Sequence, residues 1–219
     1  TSSGVAVIAV DDASENTIIV ISGANGKIDQ SDIERLQPLL SSTSVLMLQL
    51  EIPLGEVVQA ARVAKQMGAI VILDPAPAQS ELPAELYAYI DIITPNQVEA
   101  SQLVGFPVET LADAEQAAQV LRQRGTSIAL IKLGQLGAIC VATDQTFHIR
   151  SFPIVAVDTV AAGDAFNGGL AAGLAAGLSL QQATTQAAAV AALAVSKPGA
   201  QPSLPTREEL MKFLAAQND

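Results

Sequence analysis

Aromatic residues are scarce in this chain of 219 residues: no tryptophan, two tyrosines and five phenylalanines. Half of the residues are nonetheless hydrophobic. A core of that make-up rests on Ala, Val, Leu and Ile rather than on large rings, which suits helices laid on a buried parallel sheet. Cysteine is reduced to Cys140. An intrachain disulfide is therefore impossible and a cysteine-rich metal site is excluded; within the apolar run GAICVA this residue reads as a small buried strand side chain. His148 is the single histidine, without a Ser or Cys partner in a recognisable motif. It reads as structural, and its being alone argues against a histidine-based zinc site. Positive charge is sparse too, 11 Lys and Arg against 22 Asp and Glu, net −11. That balance repels a broad phosphate backbone and argues against a nucleic-acid partner. A local anion site is still allowed, because backbone N–H groups can make one without net positive charge. No stretch reads as a signal peptide or a membrane span; the alanine-rich segment near residue 190 is broken by Gln, Thr and Ser. The expectation is a reducing, cytoplasmic setting.

What is present reads as alternating elements. GVAVIAVDD and NTIIVISG are two β-branched runs joined by the polar DDASE turn, a hairpin signal. SDIERLQPLL begins with a capping box, Ser31 to Glu34, and reads as a short helix. SVLMLQLEIP is a buried strand ending in Glu51, and GEVVQAARVAKQMG an amphipathic helix closed by Gly68. AIVILDPAPA is a further buried strand, ended by Asp74 and prolines. IDIITPNQVEASQLVG gives strand, turn and a helix from about Asn96. TLADAEQAAQVLRQRG is a helix stopped by Gly125. SIALIKLGQLGAICVATDQTFHIR gives a strand, a glycine turn and two more strands. DTVAAGDAFNGGL opens a long helix, a second covers about Leu180 to Ser196, and PTREELMKFLAAQ closes the chain as a third. Strands alternating with helices predict βαβ units, a mostly parallel sheet and helices on both faces, with the opening hairpin projecting from that layer. Ligands of such sheets sit beyond the carboxyl ends of the strands. Glu51, Asp74, Asn96 with Glu99, Lys132 to Gly137, and Asp158 to Asp164 all fall at such ends.

Four stretches can carry chemistry, and each has a plainer alternative. In AAGD, Ala161, Ala162 and Gly163 expose nearly bare N–H groups at a helix start, where the dipole and the unpaired donors favour an anion. A transferring phosphoryl group is the obvious guest. Asp164 beside it either accepts a proton from a substrate hydroxyl or merely caps the helix. Asn96 and Glu99 share a helix face; they either act on phosphates through a divalent cation and its waters or form an N-cap with a solvated Glu. KLGQLG, Lys132 to Gly137, either lines a nucleotide or is a hairpin turn; the spacing of a Walker loop is absent. KPGAQPS, Lys197 to Ser203, either offers carbonyls to a monovalent cation or only connects two helices.

Taken together, DTVAAGDAF (Asp158, Thr159, Gly163, Asp164, Phe166), NQVE (Asn96, Glu99), LDPAPA and KPGAQPSLPTREEL resemble the ribokinase, or phosphofructokinase-B, family of carbohydrate kinases over essentially the whole chain. Ala161, where many relatives have glycine, points to the ribokinase branch. The resemblance implies a three-layer α/β/α fold with a projecting β-hairpin lid remnant, residues 1–26 forming a partial lid and 27–219 a nucleotide-binding core. It implies an ATP-dependent sugar kinase with ribose as the expected acceptor, and adenosine, fructose or 2-keto-sugar kinases as sister branches. Asp164 would be the base, and Ala161, Ala162 and Gly163 the anion hole. Asn96, Lys132, Leu133, Gly134, Gln135, Gly137 and Ala188 would line the nucleotide. Glu99 would help hold Mg2+, and Glu51 would face the sugar. A K+ site would use Asp158, Val160, Ala194, Lys197, Gly199 and Ser203. Family members extend further at the N-terminus, where most sugar contacts lie, whereas this chain opens on Thr1. The expectation is accordingly a chain that binds ATP but is weak or inactive alone, a nucleotide-binding remnant being the alternative reading, and a homodimer formed through the lid or an uncovered sheet edge.

Overall fold

In the computed structural model, residues 1–10, 16–40 and 45–217 are described. Two strands, β1 (Val5–Val10) and β2 (Asn16–Ile21), pair antiparallel as a separate two-stranded sheet. The DDASE turn between them, residues 11–15, lies outside the described residues. The main sheet has six strands in chain order: β3 (Val45–Leu48), β4 (Ile70–Leu73), β5 (Ile92–Ile93), β6 (Ile128–Lys132), β7 (Ala138–Val141) and β8 (Thr146–Ile149). The pairings from β3 to β6 are parallel and the last two antiparallel. This is the mostly parallel α/β sheet with a separate hairpin that the sequence predicts.

Side chains of a strand point alternately to its two faces, and that alternation builds two cores. Val71, Leu73, Ile93, Ala129 and Ile131 face one way. They pack with α2 (Leu54–Gln66), α3 (Ala84–Tyr89), α4 (Gln97–Val104) and α5 (Leu111–Gln123). Ile72, Ile92, Leu130 and Cys140 face the other way, against α6 (Ala162–Ala175) and α7 (Leu180–Val195). Cys140 is fully buried, and burial pushes its thiol up to about 12.

Three local readings are corrected. Helix α1 (Gln30–Leu40) is not capped by a Ser31–Glu34 box. Asp29 does this: its carboxylate accepts from the Ser31 N–H at 2.9 Å, while Asp32 accepts from the Asp29 N–H. A carboxylate just outside the helix reaches the free amides better than a hydroxyl inside it. β3 is an edge strand, half-buried with Met47 exposed, because among the described residues it pairs only with β4. The segment before β5 contains a helix, α3, that the sequence reading leaves out; Pro83 precedes its first residue and Leu86 and Tyr87 bury one side. The final helix, α8 (Arg207–Ala216), starts from a Thr206–Glu209 capping box.

Candidate functional site

The parallel strands end side by side, and their polar residues meet there. Asp74 follows β4 directly; its N–H donates to Leu48 O, continuing the pairing with β3. Asn96 forms a parallel bridge with Lys132, the last residue of β6. Asp74 lies two residues after Ile72, and Lys132 two after Leu130, so strand alternation turns both toward the α6 side. There Lys132 Nζ donates to Asp74 Oδ1 and Oδ2 at 3.0 and 2.9 Å. Asn167 of α6 donates from Nδ2 to Asp74 Oδ2 at 2.5 Å. The ion pair is only 13% and 14% exposed. Burial pushes the Asp74 carboxyl up from its ordinary range, and the Lys132 charge partly opposes this.

Directly above this pair, α6 begins. Ala161 occupies the N-cap with φ +60°, the only described non-glycine residue in the left-handed region. That costs on the order of 1 kcal/mol or more and turns the following amides outward. Among the described residues, no acceptor takes the N–H of Ala161, Gly163 or Asp164. The Ala162 N–H makes a long turn bond to Thr159 O at 3.3 Å, so this member of the expected anion hole is partly engaged. A Cβ on Gly163 would lie 3.3 Å from Lys132 Nζ; glycine here keeps the lysine close to the bare amides. Asp164 is exposed and, with Ala161, lines one end of a groove of about 1540 Å³ that runs on between α6, α7 and α8.

Asn96 caps α4 and pairs with Glu99 in a reciprocal box. Asn96 Oδ1 accepts from the Glu99 N–H, while Glu99 accepts from the Asn96 N–H at 2.8 Å and from its Nδ2 at 2.9 Å. Glu99 is buried rather than solvated, and burial pushes its carboxyl up. The expected cation group forms a second cluster. Asp158 accepts from the Val160 and Gly199 N–H groups at 2.9 Å each, which holds its carboxyl below the ordinary range. Lys197 N–H donates to Ala194 O, and Ser203 Oγ to Ala200 O. Among the described residues, no group of three His, Cys, Asp or Glu side chains suited to a metal forms, and no helix is long and apolar enough to cross a membrane.

The fold thus brings Asn96, Glu99, Lys132, Gly163 and Asp164 to one place. It does not gather every candidate there. Leu133 and Ala188 are buried in the two cores. Gly137 faces β8, where a Cβ would sit 2.0 Å from Ile149 O, so packing alone demands glycine. Glu51 is exposed in a bend past the edge strand. Two residues of the cluster carry no role in the sequence reading. Asp74 is visible only as a strand-end carboxylate. Asn167 shows one signal: a polar residue three past Asp164 on an otherwise small and apolar helix.

Residues 1–207 match the pattern of the pfkB family carbohydrate kinases. A ribokinase of Haemophilus influenzae is 41% identical over 96% of this chain and 69% of its own length. A deoxyribokinase of Salmonella typhi is 36% identical over 98% of this chain and 70% of its own. The structure of Arabidopsis thaliana ribokinase complexed with ribose and ATP superposes with a TM-score of 0.87, at 33% identity over 96% of this chain and 69% of that one. The chain belongs to the pfkB family of carbohydrate kinases, a phosphotransferase family.

Proposed function

We propose that this chain is an ATP-dependent sugar kinase that transfers the γ-phosphoryl group to the primary hydroxyl of D-ribose. The observation that carries this is the start of α6, where unbonded amides at Ala161 and Gly163 adjoin Asp164 at the end of an open groove. The similarity to ribokinases, and to a plant ribokinase structure with ribose and ATP, supports ATP and a pentose as the substrates. In the step, Asp164 takes the hydroxyl proton, the hydroxyl oxygen bonds to the γ-phosphorus, and the bond to the bridging oxygen breaks to release ADP. The amides meet the negative charge that spreads over the moving group.

The Asn96–Glu99 box fits the expected magnesium. Each Glu99 oxygen accepts one hydrogen bond and keeps capacity for another, which suits Glu99 and Asn96 to holding magnesium through its waters. Magnesium, when bound, neutralises phosphate charge. Asp158, with the carbonyls of Val160, Ala194, Lys197 and Gly199 and with Ser203, would hold potassium, which supplies a fixed charge behind the Ala161 turn. Lys132, Gly134 and Gln135 would line the nucleotide. A second reading, a nucleotide-binding unit without turnover, is favoured by the exposure of Glu51, the sugar-side carboxylate, at the edge of the sheet.

The test is a coupled ADP-release assay with ribose and 2-deoxyribose, beside calorimetry with a non-hydrolysable ATP analogue with and without potassium. Turnover on ribose that falls about 100-fold or more in Asp164→Asn, with analogue binding retained, supports the kinase. Binding without turnover leaves the second reading. A chain that binds no nucleotide overturns both.

A further inference from the structure

We propose that Asp74 and Asn167 are positioning residues for Lys132, holding its ammonium beneath the Gly163 amide so that it meets the outermost phosphate of a bound nucleoside triphosphate. The inference rests on the nucleotide-binding part of the reading above and adds a device that discriminates triphosphate from diphosphate.

An ammonium group has three donors. Both Asp74 oxygens take one each, at 3.0 and 2.9 Å, which fixes the direction of the third. A lysine side chain has four rotatable bonds and loses rotamer freedom when pinned; the bidentate contact accomplishes this before any ligand arrives. Asp74 also supplies the counter-charge that lets Lys132 wait in a site only 13% exposed.

Asn167 fixes Asp74 in turn. It is 3% exposed, its Nδ2 bonds to Asp74 Oδ2, and its own Oδ1 is buried without a partner. An unpaired buried carbonyl is destabilising, and a leucine would fill similar space without that cost. The contact that the amide makes is with Asp74, and reversing the amide would set Oδ1 against the carboxylate. Gly163 completes the arrangement, because a side chain there would stand 3.3 Å from Lys132 Nζ and 4.0 Å from Asp74 Oδ2. The chain of contacts runs from α6 to β4 to β6 and ends at the bare amides of α6.

The experiment measures the affinity of the full chain for ADP and for a non-hydrolysable ATP analogue, with magnesium, in four proteins: wild type, Lys132→Met, Lys132→Arg and Asn167→Leu. A charge-assisted hydrogen bond to phosphate corresponds to about tenfold in affinity. Lys132→Met is expected to weaken the triphosphate by about that factor and ADP by less than about threefold. Lys132→Arg recovers part of the loss. Asn167→Leu, which keeps the lysine, shifts the triphosphate-to-diphosphate ratio in the same direction by about threefold or more. Equal losses for both nucleotides, or an unchanged ratio with only a changed melting temperature, overturn the positioning role. If Lys132→Met does not fold, Lys132→Gln and Asn167→Leu decide it by the same ratio. Wild-type binding of ADP and analogue with equal affinity refutes this inference alone, whereas no nucleotide binding at all refutes it together with the proposed function.

Discussion

Gly137 and Gly134 sit three residues apart in one turn, both with positive φ, yet they differ in what surrounds them. A Cβ on Gly137 would overlap Ile149 O at 2.0 Å, while one on Gly134 would meet nothing within 4 Å. Gly134→Ala is therefore expected to cost about 1 kcal/mol of backbone strain, and Gly137→Ala clearly more, since β8 must also move. Urea denaturation of the two variants checks the order, and equal costs would contradict it. The sequence shows two glycines beside a lysine and cannot separate them, because the difference lies at Ile149 of a later strand. Cys140 is the opposite case. An apolar run around one small thiol is enough to read burial, and the thiol pushed to about 12 follows from it. A thiolate-specific alkylating reagent is expected to label the folded chain at neutral pH far more slowly than the unfolded chain; comparable rates would place the residue at the surface.

At the scale of elements, α6 and α7 approach closely because α6 presents glycine one turn apart. A Cβ on Gly169 would lie 3.0 Å from Ala187 Cα, and one on Gly173 would lie 3.0 Å from Ala183 Cα. Gly173→Leu should force the helices apart at a cost of about 1–3 kcal/mol or more, read as a lower denaturation midpoint. Because α6 carries the Ala161–Asp164 turn, analogue affinity should fall as well. Retained stability and affinity together would show that the pair tolerates separation. Helix α8 gives a pH prediction. Glu209 is held at about 2, against an ordinary 4.5, by Lys197 first and then by the Thr206 amide and hydroxyl. A depressed carboxyl stabilises the fold above its unfolded value, and that contribution disappears as pH falls from 4.5 toward about 2. Asp74 and Glu99, both raised by burial, act with the opposite sign. Their contribution is present at low pH and is lost as pH rises through their folded values. The stability gap between wild type and Glu209→Gln should narrow across the 4.5-to-2 window; a constant gap would mean that the cap does not titrate with folding.

Over the whole molecule, apolar surface is distributed unevenly. Val5, Val7, Ile19, Val20 and Ile21 of the hairpin are all at least half exposed. β3 adds an edge without a partner among the described residues, and the groove between α6 and α8 is lined largely by Ala, Leu and Gln. Surfaces of this kind associate. The chain, 22.5 kDa alone, is expected to sediment at a higher mass at micromolar concentration. Lys substituted at Val7 and Ile19 should move it toward the monomer if the hairpin is the contact. A wild-type monomer at these concentrations would refute the expectation.

Most of the architecture was decided locally. Strand and helix periods, glycine stops and the DTVAAGDAF stretch state their identity within a dozen residues, because hydrophobic alternation and bare amides at a helix start are properties of short segments. The sequence by itself determined the alternating α/β order, the buried Cys140, the bare-amide turn at Ala161–Asp164 and the placing of Asn96 and Glu99 on one helix face. Tertiary structure alone decided that Asp74, Lys132 and Asn167 form one network. Their contacts span 58 and 93 residues of chain. They exist because parallel pairing aligns the ends of β4 and β6 beneath the start of α6, and no local pattern encodes that alignment.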